Sequence, residues 1–162
     1  MRVRIVVADQ AEARFYDAEP PDPALHLAGR LTDPLAHQHD RQIGSDRPGR
    51  VFDHAPAAGT RRGAVAHHAT GGEGDRRPRR HEAMMFARRI AQDLALAQRQ
   101  GRFERIVIVA EPGFLGLIRQ ALPPGLGASV AAEVPKDLVH QTEAVVRAHL
   151  PLEALREPRV ET

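Results

Sequence analysis
Gly101-Arg102-Phe103-Glu104-Arg105-Ile106-Val107-Ile108-Val109-Ala110-Glu111-Pro112-Gly113-Phe114 decides the fold class. Its glycine stands where the C-terminal cap of a helix belongs. Arg105–Ala110 is an apolar, β-branched run that reads as a buried strand. Phe114 then starts a helical pattern with Leu117, Ile118 and Ala121, closed by Pro123-Pro124-Gly125. A strand between two helices calls for right-handed crossovers to parallel neighbours.

Working outward, Phe86, Ile90, Leu94 and Ala97 recur at helical spacing, and Pro78 suits the first position of that helix. Downstream, Ser129–Val134 reads as the last strand. Thr142 can cap a final helix carrying Val145, Val146 and His149 towards Leu150. The tail 151–162 has weak signals and is expected to pack loosely. Towards the N-terminus, Val3–Ala8 is a buried strand, Asp9-Gln10 a turn, and Ala13–Asp17 an alternating strand. Pro20-Pro21-Asp22-Pro23 is punctuation before a third strand, Leu25–Leu31. Three strands joined by short turns predict an antiparallel meander. The order β-β-β-α-β-α-β-α predicts an α/β domain over 1–150 with a mixed five-stranded sheet. Its first, fourth and fifth strands should be mutually parallel. That is the element order of ribonuclease H-like folds.

The 162 residues suffice for one domain with a real core. Without cysteine, neither disulfides nor thiolate chemistry enters. No apolar run has the length of a membrane span, and Met1–Val7 lack the layout of a signal peptide, so the expectation is a cytoplasmic protein. All but one of the 23 basic residues are arginine, the exception being Lys136, and the formal charge is only +2. That charge is unevenly placed: residues 41–80 hold nine arginines against four carboxylates. The concentration favours an anionic partner.

Most of these arginines fall in residues 33–77, which show no periodicity and read as a long basic loop rich in Gly, His and Arg. Within it, Asp46-Arg47-Pro48-Gly49-Arg50 suits a type II turn, with Pro48 presetting φ and Gly49 able to take positive φ. Such a turn brings Arg47 beside Arg50 as paired forks for phosphate or carboxylate. The competing reading is a solvated loop neutralised by Asp46 and Asp53. Arg76, Arg77, Arg79 and Arg80 surround the expected start of the long helix. They either project into water or, through Arg77 and Arg80, hold an anion against the free amides. Histidines 37, 39, 54, 67, 68 and 81 lack the spacing of a zinc site, and no metal or cofactor is expected.

Several strings, in order from Arg2 to Leu150, resemble the bacterial host attachment protein family, proteins required for attachment to host cells. They are Val6-Val7-Ala8-Asp9 with Ala13-Arg14-Phe15, Ser45-Asp46-Arg47-Pro48-Gly49-Arg50 with Phe52, and His81-Glu82. Gly101-Arg102-Phe103, Phe114-Leu115-Gly116, and Lys136-Asp137-Leu138 with His140 complete the set. Val139 stands where that pattern leads us to expect threonine. The family is similar to bacterial relatives of the archaeo-eukaryotic release factor middle domain, itself a ribonuclease H-like variant. In release factors a Gly-Gly-Gln loop reaches the peptidyl-transferase centre. Here Gly71-Gly72 is followed by Glu73, a departure that argues against peptidyl-tRNA hydrolysis.

Parallel strands gather ligands at their carboxyl ends. Asp9, Glu111 and Lys136-Asp137 should meet there, with Glu82 approaching from the helix. Four carboxylates could hold Mg²⁺ for a nuclease, or could simply end strands and cap turns. Asp9, Lys136, Asp137 and His140 form the candidate strand-edge site. Lys136 either pairs with Asp9 or Asp137, or forms an acid–base set with His140. No phosphate loop, dinucleotide fingerprint or nucleophile elbow is present, and no catalytic residue is assigned. The sequence points to a non-enzymatic binding protein with an anionic partner. RNA, the ribosome or a phosphate-bearing ligand is the expected chemistry, and a metal-dependent nuclease is the alternative.

Overall fold
The computed structural model describes residues 1–22, 24–36 and 71–156, of which residues 71–78 are described by their backbone alone. Val3–Ala8 forms β1, Glu12–Ala18 β2 and His26–Thr32 β3. The long helix α1 is Gly71–Arg99, followed by β4 (Arg105–Ala110), α2 (Pro112–Ala121) and the single turn α3 (Pro124–Gly127). Then come β5 (Val130–Val134), α4 (Glu143–His149) and a 3₁₀ turn at Leu152–Leu155. The sheet order is β3-β2-β1-β4-β5. β1 pairs antiparallel with β2 and parallel with β4, and β4 pairs parallel with β5. The expected mixed sheet, its meander and its three parallel strands are all present.

Side chains alternate across a strand, so the apolar runs of β1 and β4 feed two cores. On one face Val6, Ala8, Phe15, Ile106 and Ile108 pack against Phe86, Ile90 and Leu94 of α1 and Phe114 and Ile118 of α2. Phe86 and Phe114 stack with centroids 6.0 Å apart, joining the two helices. On the other face Val3, Ile5, Val7, Val107 and Val109 pack against Leu138, Val139, Val146 and Leu150. Arg4, although on β1, is buried. Its guanidinium makes paired hydrogen bonds to Asp17 directly opposite on β2, at 2.7 and 3.0 Å, and lies over the Phe103 ring. A charge there is tolerable because it is paired and hydrogen-bonded in the fork geometry of arginine.

Helix ends follow local chemistry. Gly101 takes φ +68°, its amide donates to Gln98 and the Arg102 amide donates to Ala97, a Schellman closure of α1. The Thr142 hydroxyl accepts from the Val145 amide at 3.3 Å and starts α4.

Three expectations need correction. The helix starts at Gly71 rather than Pro78, so residues 71–77 are not loop. Proline removes only its own amide and one i−4 bond, which a 29-residue helix anchored by Phe86, Ile90 and Leu94 can absorb. The basic segment also starts later than Asp33. That residue is buried, its amide donates to Ala11, its carboxylate accepts from Leu35, and residues 34–36 are helical. The tail is not loose over Leu152–Leu155, where Ala154 is buried and Leu155 packs on the second core.

Gly101→Ala should cost about 1–2 kcal/mol in urea unfolding, because an L side chain is strained at positive φ. On the opposite edge, the Arg119 guanidinium on α2 bonds Glu133 on β5 and holds its carboxyl below the usual range. A depressed folded pKa contributes stability above the unfolded value, and that contribution disappears as pH falls through the folded one. Arg119→Gln should therefore flatten the acid-side fall in melting temperature between neutrality and about pH 3.

Candidate functional site at the carboxyl edge of the parallel strands
Because Ala8 is in register with Ala110, the residues that follow them, Asp9 and Glu111, emerge side by side at one sheet edge. Both carboxylates are occupied by backbone. Asp9 Oδ1 accepts from the Ala11 and Glu12 amides at 2.8 and 2.7 Å, building the β1–β2 turn. Glu111 caps α2, accepting from Phe114 at 2.7 Å and Gly113 at 3.3 Å. The other Asp9 oxygen lies 3.4 Å from His140 Nε2.

Of the four expected strand-edge residues, the structure therefore joins Asp9 and His140. Lys136 is exposed and makes no ion pair among the described residues, so the expected partnership with Asp9 or Asp137 is absent. Asp137 is exposed as well. The reason lies in the next two residues: Leu138 and Val139 are buried in the second core and lead the chain back to Asp9 at His140. Val139 is only 1% exposed, which explains the missing hydroxyl. A threonine there would bury a polar group among Val7, Val134 and Val146. Among the described residues no three His, Asp or Glu side chains converge as metal ligands. Asp9, Glu82, Glu111 and Asp137 thus do not form the carboxylate cluster of the nuclease alternative.

What the edge does present is a cleft of about 490 Å³ lined by Gln10, Arg79, Arg80, Ala83, Glu111, Gly113 and Leu117. Arg79 and Arg80 are exposed and have no carboxylate partner among the described residues. Their setting differs from the expected one. With α1 starting at Gly71, they sit on its third turn, away from the free amides of the first. An anion held between these arginines and those amides is therefore ruled out for Arg80. Arg77 lies in the part of α1 described by backbone alone, and His81 is exposed. Arg47 and Arg50, with histidines 37, 39, 54, 67 and 68, lie outside the described residues. No local sequence pattern marks Gln10 and Arg79 for this cleft. Only the register of β1 with β4 and the early helix start bring them to Glu111.

The fold and the cleft define an α/β domain with an open mixed sheet, helices on both faces, and two exposed arginines beyond its parallel strands that pair with no carboxylate among the described residues. The chain belongs to the family described as protein required for attachment to host cells, whose pattern matches residues 4–150. An uncharacterized protein of Rickettsia prowazekii (strain Madrid E) is 46% identical over 50 residues, which cover 30% of this chain and 33% of that one. The match thus spans about a third of the length of that relative.

Asp9→Ala should lower unfolding free energy by about 1–3 kcal/mol, the cost of removing a charged acceptor from two amides. Lys136→Met should stay within about 0.5 kcal/mol of the parent. Urea titrations of the two variants, run together, check the contrast.

Proposed function
We propose that this protein is a non-enzymatic interaction protein of the host-attachment family that binds an anionic partner through its arginines. The observation that carries the reading is the pair Arg79 and Arg80, exposed at the cleft and without a carboxylate partner among the described residues. They end the basic segment 41–80, to which Arg47, Arg50 and Arg77 also belong. Exposed guanidinium groups that pair with no acid among the described residues are donors suited to phosphate. Glu111, which lines the same cleft, and Asp9 hold backbone amides, which supports a structural role for these carboxylates. The ligand chemistry is phosphate-bearing, and a cytoplasmic location belongs to this reading. No described helix is long and apolar enough to cross a membrane.

A second reading, an RNA- or ribosome-associated protein, is favoured by one further observation. Gly71-Gly72-Glu73 opens the long helix that carries Arg79 and Arg80. The release factor resemblance implies a Gly-Gly-Gln loop, and here the glycine pair stands at the N-terminal end of that helix. The sheet order and the meander followed by parallel crossovers support the ribonuclease H-like assignment on which that resemblance rests. Glu73 in place of glutamine argues for binding without peptidyl-tRNA hydrolysis.

Arg79→Gln/Arg80→Gln should weaken binding to single-stranded RNA and reduce the slope of log K against log salt by about 1.4, the loss of two phosphate contacts. Arg47→Gln/Arg50→Gln tests the loop in the same assay. If both double variants bind RNA and heparin as the parent does, the arginines are solvated and the proposal fails.

A further inference from the structure
β3 is the outer strand of the sheet, and among the described residues only β2 pairs with it. Five of its seven residues are exposed, including Leu27 at 46%. Beside it runs a groove of about 240 Å³ between β3 and the C-terminal half of α1, lined by Gly29, Arg30, Leu31, Asp93, Leu96 and Arg102. Leu96, on the helix wall, is 48% exposed.

Gly29 is the informative residue. Glycine inside a strand costs stability, and it persists at a bulge, at a position where φ must be positive, or where another group approaches closely. Its φ is not positive. The pairing with β2 shifts register beside it, where Phe15 faces Gly29 but Tyr16 faces Leu27, so Gly29 adjoins a bulge. Among the described residues a Cβ built there meets nothing within 4 Å. The space above Gly29 is, among the described residues, the groove itself.

Charge narrows the occupant. Arg30 makes no ion pair among the described residues, and Arg102 bonds only neutral groups, with Asp93 the one carboxylate in the lining. A second copy is disfavoured. Antiparallel pairing of two β3 strands about Gly29 would set the two Arg30 side chains on one diagonal, about 7–8 Å apart. An arginine in the middle of an edge strand thus works against self-pairing and in favour of a strand carrying carboxylates.

We propose that β3 and its groove bind an extended acidic segment of a partner protein by strand addition. The partner's main chain pairs with the outer edge of β3 ahead of Thr32, whose carbonyl accepts from Arg89 of α1 at 3.3 Å. Alternate apolar side chains enter the recess over Gly29 against Leu31 and Leu96, and a carboxylate meets Arg30. This surface is separate from the arginine cleft, so the two readings can fail independently.

The test is selection of short random peptides displayed on phage against the intact protein, followed by affinity measurement with the synthetic winners. Enriched peptides should alternate apolar residues with Asp or Glu. Their affinity should fall about tenfold or more for Gly29→Trp, which fills the groove, and for Arg30→Glu. Melting temperatures should stay near the parent's, and Arg79→Gln/Arg80→Gln should bind the peptides unchanged. Should Gly29→Trp fail to fold, Arg30→Glu and peptides N-methylated at alternate amides carry the test, with the same loss expected. The proposal is overturned if no such peptides are enriched, or if winners bind Arg30→Glu and survive N-methylation undiminished. A parent dimer that Gly29→Trp splits into monomers would assign the edge to a second copy and overturn it equally.

Discussion

The parallel pairing of β1 with β4 is the constraint from which the rest of the structure follows. Both strands are apolar over nearly their whole length, so a sheet with these two at its centre must be covered on both faces. The long helix and α2 cover one face, and α4 with the Leu138-Val139 turn covers the other. The same register that aligns Ala8 with Ala110 sets Asp9 beside Glu111. The packing requirement of the core therefore also builds the carboxyl edge where these two residues meet. A slip of one residue would reverse the facing of every β1 side chain and separate the two turns.

Charges in this domain have two distinct fates. Arg4 is desolvated, forked onto Asp17 and stacked on Phe103, and its chemistry is spent on holding β1 to β2. Asp9 and Glu111 are likewise committed, each to two backbone amides. Arg79, Arg80 and Arg30 are exposed, with no such commitment among the described residues. Buried or capping charges serve the fold. Uncompensated exposed arginines are where an anion finds donors without breaking an existing pair, and this separation underlies the reading of the cleft and of the β3 edge as binding surfaces.

The local signals in the chain were readable because local physics produces them. Val3–Ala8 and Arg105–Ala110 could only be buried strands, Gly101 closed α1 through its positive φ, and Thr142 capped α4. The start of α1 is not legible in the sequence, because Pro78 is a strong local signal for a first turn. A long helix well anchored farther along overrides that signal. The site was only partly legible. The sequence groups Asp9 with His140, but it favours Lys136 for the partnership that His140 holds. Burial of Leu138 and Val139, a tertiary fact, decides which side chain of that string returns to Asp9.

By itself the sequence determined the element order, the parallel or antiparallel sense of each strand pair, and the basic bias of residues 41–80. These depend on apolar periodicity, turn length and composition, all of which are properties of neighbours along the chain. Tertiary structure alone decided that Arg4 is buried on Asp17, that Gln10, Arg79 and Glu111 share a cleft, and that Gly29 faces an open groove. Each of these joins residues far apart in sequence. Their meeting is set by strand register and by how far a helix extends over its sheet, quantities that no local pattern encodes.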